Sequence, residues 1–586
     1  MNHDTSRRDF FANPRMPLMA GLAIPVGILS TLAAYVLINL IHLFTNLFFF
    51  GSFSFADRSP ALNTLGPWVI AIPIVGGLLI GLIARFGTEK IRGHGIPEAI
   101  EAILFGKSRM SPKVAILKPL ASGIAIGSGG PFGAEGPIIM TGGALGSMLG
   151  QTLSLTAAER KTLLVAGATA GMTAVFGTPL AAVLLAVELL LFEWRPRSFI
   201  PVAVSCAVAG FGRAVWFGTG AIFPLETGQP HMVALFSCVI AGLLSGMLAA
   251  ALSVALYKVE DLFAKLPLHW MWWPALAGVV IGVGGLIEPR ALGVGYDVID
   301  DLLHQNVLMQ VAISLLVVKA IMWVVALGSG TSGGVLAPLL MLGAGLGVVL
   351  SRILPGADPM LWPLVCMTAT LGGTLGAPLT AIVFGFELTH DSHAMLPLLA
   401  ATLTSHAFVT VTMRRSIMTE KIARRGYHIF REYGVDPLER HAVREVMTTQ
   451  VQAVDAAMPL VTVLEAFFGA GQSHRAFPVV ADGVVTGMVD RASLQAWIDA
   501  GATRTIGDAL AGSTTEVVQP NDTCQQAAAR MAVHQLERMP VVDGPGSRRL
   551  VGIVSRSDLV RPLDTHFHEE HRRERFWRPR GGASQR

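Results

Sequence analysis

Charge is scarce in this chain: Asp, Glu, Lys and Arg make up 14% of its 586 residues, against roughly 25% in an average soluble domain. That shortage excludes an ordinary water-soluble protein. The 52% hydrophobic content and mean hydropathy of +0.56 point instead to a polytopic membrane protein. Cysteine is scarce as well. Cys206, Cys238, Cys366 and Cys524 are widely separated and lack a C-x-x-C spacing, which argues against a disulfide framework and against a metal site. The net charge of +4 is small, and the basic residues gather at segment edges and in the tail, so nucleic acid is not indicated as a partner. With no nucleophile–base set and no metal-ligand cluster, the chain does not read as an enzyme.

Arg7, Arg8 and Arg15 precede an apolar run from Met16 to Phe50. The run is too long for a signal-peptide core and reads as an uncleaved first membrane helix behind a cytoplasmic N-terminus of residues 1–15. At about 1.5 Å per residue it would measure about 50 Å, against a hydrocarbon core of about 30 Å. It must tilt or break, and Pro25 helps. From Trp68 to Met413 apolar segments follow one another, with Gly and Pro at many ends. Those at 114–127, 136–150, 335–350 and 378–388 are too short to span a bilayer, and short interrupted segments at matching places in two halves mark a transport site near the midplane.

The two halves are visible as a repeat about 200 residues long. Gly177-Thr178-Pro179-Leu180-Ala181 leading to Glu188 recurs as Gly376-Ala377-Pro378-Leu379-Thr380 leading to Glu387, and Glu135-Gly136-Pro137 is matched by Leu336-Ala337-Pro338. The expected architecture is all-α and membrane-embedded over 16–413, with halves at about 16–217 and 231–413 built from tilted and broken helices. A basic linker follows at 414–440; its Arg414, Arg415, Lys421, Arg424 and Arg425 mark a cytoplasmic edge by the positive-inside rule. Residues 441–562 read as a soluble α/β module in two copies, 441–500 and 501–562. Arg475-Ala476-Phe477-Pro478-Val479-Val480 returns there as Arg538-Met539-Pro540-Val541-Val542. The remainder, 563–586, reads as a basic, disordered tail.

One carboxylate stands out. Glu135 lies within Gly133-Ala134-Glu135-Gly136-Pro137, a turn that opens an apolar segment. A helix N-terminus offers unpaired N–H groups and a partial positive charge, so it attracts anions and carboxylates alike. Glu135 can therefore stand in for an anion and, once protonated, yield its place.

Gly93-His94-Gly95-Ile96-Pro97, Gly133-Ala134-Glu135-Gly136-Pro137, Gly334-Val335-Leu336-Ala337-Pro338 and Ser416-Ile417-Met418-Thr419-Glu420-Lys421 occur in an order that resembles the CLC family of chloride channels and chloride/proton exchangers, with a tandem CBS pair appended. The resemblance implies a homodimer in the lipid bilayer, with one anion pathway per subunit and the CBS domains in the cytoplasm. It implies anion contacts at His94, Gly95, Ile96, Pro97, Gly133, Gly136, Gly334, Val335, Leu336, Ala337 and Met418, with Glu135 as gate and proton carrier. An inner proton-transferring glutamate would be Glu188 or Glu193. Glu193 can alternatively pair with Arg195 or Arg197 at the surface. The chain departs from the family pattern at His94, Met418 and Leu336, where the family usually has serine, tyrosine and phenylalanine, so the anion can be chloride or another such as fluoride. His94 can donate an N–H to the ion or turn away to a backbone carbonyl. Met418 donates nothing.

Gly552-Ile553-Val554-Ser555-Arg556-Ser557-Asp558 fits the CBS signature. The resemblance implies that Asp558 would hold the ribose hydroxyls of an adenine nucleotide (ATP, ADP or AMP) as regulator and that Ser555 would add a contact. In the first copy Asp490 occupies the Ser/Thr position and Ser493 the aspartate position; a purely structural dimerisation module is the alternative. No metal or resident cofactor is expected. The leading expectation is proton-coupled exchange of a monovalent anion across a bacterial inner membrane. A passive, voltage- or pH-gated anion channel is the nearest alternative. A CBS-regulated divalent cation transporter using Glu135, Glu188, Glu387 and Asp391 is disfavoured, since helix N-termini have the wrong polarity for a cation.

Overall fold

The computed structural model describes residues 15–425, 438, 441–469, 472, 474–501, 505–513, 515–544 and 546–571. The expected N-terminus up to residue 14, most of the basic linker beyond Arg425 and the tail after His571 lie outside them. Two compact units result, Phe10–Tyr433 and Gly434–Arg586 with Met1–Asp9.

The first half of the larger unit contains α1 (Met16–Phe50), α2 (Ala71–Phe86), α3 (Ile96–Leu104), α4 (Pro112–Gly127), α5 (Glu135–Thr152), α6 (Ala157–Phe176), α7 (Pro179–Leu185) and α8 (Pro196–Trp216). The second half contains α9 (Val233–Ala264), α10 (Trp273–Ile287), α11 (Tyr296–Leu303), α12 (Met309–Gly328), α13 (Leu336–Leu350), α14 (Leu361–Leu375), α15 (Pro378–Thr389) and α16 (Met395–Thr412), followed by α17 (Ile417–Arg424). Among the described residues the halves match helix for helix, from α1 with α9 to α8 with α16. Among the described residues seven segments are long and apolar enough to cross a membrane, whereas α13, α14 and α15 are among the shorter apolar helices. Of the two courses expected for α1, it does not break: Pro25 lies inside it without ending it. For an unbroken helix of that length, tilt is the remaining way to fit the hydrocarbon core, and Pro25 removes only one backbone donor.

Small residues set how closely these helices approach. On α5, a Cβ at Gly143 would lie 3.3 Å from Leu164 of α6, and on α13 a Cβ at Gly343 would lie 2.6 Å from the Cys366 carbonyl of α14. Close backbone approach replaces the hydrophobic drive that lipid does not supply.

Two buried lysines repeat the same construction. Lys118 on α4 donates to the carbonyls of Ile91 and Gly93, both at 2.8 Å. Lys319 on α12 donates to Ala291 at 2.9 Å and Gly293 at 2.7 Å. Each ammonium ties down the loop that feeds a short helix, α3 in one half and α11 in the other. Glutamates cross between the halves in the same reciprocal way. Glu188 accepts from Leu379 N (3.2 Å), Thr380 N (2.7 Å) and Thr380 Oγ1 (2.7 Å) at the start of α15. Glu387 accepts from Leu180 N (3.0 Å) and Ala181 N (2.8 Å) at the start of α7. Each carboxylate caps the other half's helix, where orphan N–H groups and the helix dipole favour a negative charge.

The smaller unit contains α18 (Val443–Val446), β1 (Val454–Asp455), α19 (Leu460–Phe468), β2 (Ala476–Ala481), β3 (Val484–Asp490), α20 (Arg491–Asp499), α21 (Ile506–Ala509), α22 (Cys524–Val533), β4 (Arg538–Val542), β5 (Leu550–Ser555) and α23 (Arg556–His571). β1 pairs with β2 in parallel and β2 with β3 antiparallel, while β4 pairs with β5 antiparallel. A parallel bridge from Val518 to Val541 stands where β1 stands in the first copy. Two separate apolar cores result, around Val479 and Val541; Val443 and Val446 of the first copy join the Val541 core, and Ile506 and Leu510 of the second join the Val479 core. Helix α23 runs to His571, so the disordered tail expected from residue 563 is corrected over its first residues, which continue the helix.

Candidate anion pathway

Three glycine-proline turns deliver three helix N-termini to one place. Pro97, Pro137 and Pro338 lie in the first turns of α3, α5 and α13, where the missing proline N–H costs nothing. Gly133 and Gly334 pair in antiparallel fashion, Gly334 N donating to the Gly133 carbonyl at 2.9 Å and Gly133 N to the Gly334 carbonyl at 3.4 Å. The third turn packs on the first two: a Cβ at Gly95 would lie 2.6 Å from the Gly136 carbonyl, and one at Gly136 would lie 3.2 Å from Gly334 Cα. Gly95 has φ +93°, so only glycine combines this backbone with this clearance.

Glu135 is fully buried at the first residue of α5. Its Oε1 accepts from Leu336 N, and from Ala337 N at 3.3 Å, so it occupies the N-terminus of α13. Its Oε2 is buried without a hydrogen-bond partner. The carboxylate thus lies on backbone N–H groups in the manner of an anion, and none of its bonds comes from a cationic side chain.

His94 is 3% exposed, and its Nδ1 has no hydrogen-bond partner. Its peptide packs beside Gly136. Ile96 and Pro97 are buried at the start of α3, and Val335, Leu336 and Ala337 are buried at the start of α13. Met418 is fully buried on α17, whose first carbonyl, Ile417, accepts from Tyr257 Oη at 2.5 Å. Lys421, one turn beyond Met418, pairs with Glu98 Oε1 at 2.6 Å, while Glu98 Oε2 accepts from Gly95 N at 2.9 Å. A chain of contacts therefore runs from α17 through Lys421 and Glu98 to the turn that carries His94. Sequence reasoning passed over Glu98, Lys118 and Lys319 as parts of the frame, and took Glu387 only as a repeat position and a disfavoured cation ligand. The signal available was the recurrence of lysine about 200 residues apart inside two apolar segments.

A cavity of about 600 Å³ lies against this turn, lined by Arg92, Glu98, Met140, Lys421, Arg424 and Arg425 among others. Two of its four carboxylates are paired, Glu98 with Lys421 and Glu101 with Arg425, and with Glu89 and Glu260 they face six lysines and arginines. Arg92 is held by its guanidinium over Trp270, 4.4 Å from the ring centroid, a cation–π contact that fixes the charge without neutralising it. The result is a cationic vestibule beside three helix N-termini.

The two inner candidates are arranged differently. Glu188 spends both oxygens capping α15. It lies in a π-helical turn, Ala186–Leu191, and such turns accommodate an extra residue in a helix. Glu193 is 22% exposed and lies 4.0 Å from Lys161, 3.8 Å from Arg195 and 3.8 Å from Arg197, with Ser198 Oγ donating at 2.7 Å. In the smaller unit, Asp558 Oδ2 accepts from Ser555 N (2.9 Å) and Ser555 Oγ (2.6 Å), and Oδ1 lies 3.0 Å from Arg561. In the first copy Asp490 caps α20, accepting from Ser493 N at 2.7 Å. The four cysteines are free and buried, and among the described residues no His/Cys/Asp/Glu group is arranged to hold a metal ion.

The family profile described as "Voltage gated chloride channel" matches residues 76–410, and the CBS domain profile matches 443–499 and 513–564. The H(+)/Cl(-) exchange transporter ClcA of Vibrio campbellii is 30% identical over 367 residues, covering 59% of this chain and 77% of that protein. The voltage-gated ClC-type chloride channel ClcB of Salmonella typhimurium is 28% identical over 414 residues, covering 69% of this chain and 98% of that protein. Among solved structures, a slow cyanobacterial Cl-/H+ antiporter superposes with a TM-score of 0.61 at 24% identity, over 71% of this chain and 98% of the other. A CLC-type fluoride/proton antiporter superposes with a TM-score of 0.57 at 18% identity, over 70% and 98%.

Proposed function

Since the chain belongs to the voltage gated chloride channel (CLC) family and carries a CBS pair, we propose that it exchanges chloride or a related monovalent anion for protons, with Glu135 as gate. The observation that carries this reading is the Glu135 carboxylate lying on the Leu336 and Ala337 N–H groups in full burial. A charged Glu135 competes with the anion for those donors. Protonation removes its charge, so the side chain leaves with a proton and the anion enters. Partial charges suit this task, because they bind an ion without trapping it.

Of the two inner carboxylates, Glu193 is assigned the proton entry, since it is open to water and makes no helix cap. Chloride, fluoride and nitrate efflux from liposomes, with simultaneous pH recording, tests the gate: Glu135→Ala keeps anion flux and loses proton flux. Loss of both would remove Glu135 as gate. A passive channel has one observation in its favour, the pairing of Glu193 with three cations, and proton-free anion flux in the wild type would establish it.

The CBS pair is assigned to the cytoplasm of a bacterial inner-membrane homodimer, on the basic residues that follow α16. At Asp558 the contact to Oδ1 comes from Arg561, whose side chain is 68% exposed. The ribose hydroxyls of an adenine nucleotide can displace so weak a partner.

A further inference from the structure

We infer that the hydroxyl of Tyr296 is an anion-coordinating donor of the transport pathway, presented by the second-half loop that mirrors the loop carrying His94. The inference rests on the anion-transport reading above and adds a residue that none of the motifs contains.

The repeat supplies the first argument. Gly293-Val294-Gly295-Tyr296 mirrors Gly93-His94-Gly95-Ile96. All four glycines have positive φ: +82° and +93° in one loop, +66° and +76° in the other. Lys118 holds the first loop by Gly93, and Lys319 holds the second by Gly293. Gly95 faces Met140 on α5, and Gly295 faces Met341 at the equivalent place on α13. The first loop is thus set against the helix that Glu135 begins. The second is set against the helix whose N-terminus Glu135 occupies.

The second argument is chemical. Tyr296 Oη is buried and has no hydrogen-bond partner, and a buried hydroxyl in that condition calls for an explanation. Tyr296 lies within electrostatic reach of Glu135, whose Oε2 is the other unpartnered oxygen of this region. Its ring is fixed edge-on to Phe176, with centroids 6.2 Å apart, and beside Phe223 at 6.3 Å, so the hydroxyl is aimed by packing. Met418 has no donor to give an anion. A neutral O–H stabilises a partly dehydrated anion without holding it as a full cation would.

The test uses the full-length protein with Tyr296→Phe, which keeps the ring, and Tyr296→Leu, which removes it. Chloride binding in detergent is read by calorimetry, and chloride against nitrate flux is read in liposomes. A hydroxyl donor predicts that both variants lose chloride affinity about tenfold and lose discrimination between the two anions. Wild-type affinity in Tyr296→Phe, with loss only in Tyr296→Leu, would overturn the inference and leave a packing role. Should the variants not fold, a near-UV tyrosine difference band on adding chloride to the wild type, absent with gluconate, supports the inference; no band overturns it. Calorimetry does not require transport, so failure of the exchange reading and failure of this assignment are distinguishable.

Discussion

Glu135 and the buried lysines show how differently single residues announce themselves. Glu135 was legible in the sequence because a carboxylate inside a glycine-proline turn at membrane depth has few structural uses. Lys118 and Lys319 were not. In sequence each is a lone charge in an apolar segment, and their role depends on carbonyls more than 20 residues away. Each ammonium satisfies two loop carbonyls where water cannot. Lys118→Met and Lys319→Met should therefore each cost about 2–5 kcal/mol, from two buried acceptors left unpaired. Thermal unfolding in detergent would show this as a lower midpoint for both variants by a similar amount. A midpoint unchanged in either would mean that its loop holds its shape without the lysine. His94 stands between these cases: the family resemblance placed it at the proposed site, and the structure leaves its buried Nδ1 without a hydrogen-bond partner.

Among the elements, α7 and α15 exchange capping carboxylates across the two halves, and this is the feature that periodicity could least reveal. Glu188 reads in sequence as a proton-relay candidate, since an intramembrane carboxylate is a functional candidate by default. Its bonds to Leu379 and Thr380, mirrored by those of Glu387 to Leu180 and Ala181, give it a structural task. Glu188→Gln and Glu387→Gln should each lower stability by about 1–2 kcal/mol, the usual cost of a lost helix cap, and neither should change the number of protons moved per anion. A changed ratio in Glu188→Gln alone would return it to the proton route. The element α17 carries a second prediction. Removing Lys421 leaves Glu98 negatively charged beside the turn that bears His94, so Lys421→Met should weaken chloride binding by about tenfold, and Glu98→Gln in the same chain should restore most of it. Calorimetry on the two single variants and the double variant gives the coupling directly. Additive effects would mean that the pair acts only on packing.

Over the whole molecule, the fold was legible wherever the chain repeats itself. The spacing of about 200 residues placed the halves, and the short apolar segments placed the half-spanning helices. The composition change near Arg414 separated the membrane domain from the CBS pair. What could not be read were the full course of single helices and facts that exist only between distant segments. These include the unbroken course of α1 through Pro25, the extension of α23 to His571, and the cationic cavity formed by Arg92 with α3 and α17. The two halves bring opposite ends of one design to Glu135: helix N-termini that attract an anion, and loops braced by lysines that hold those termini still. On the proposed function such an assembly is preorganised for an anion, and a carboxylate competing for the same donors would make proton release and anion entry alternatives.

That coupling is the central claim, and uphill proton transport tests it most directly. Liposomes containing the wild-type protein are given a chloride gradient with no initial pH difference, and internal pH is followed with the membrane potential clamped by potassium and valinomycin. Exchange predicts proton movement against its own developing gradient, driven by chloride and abolished in Glu135→Ala. Chloride movement with no proton movement in the wild type would contradict it.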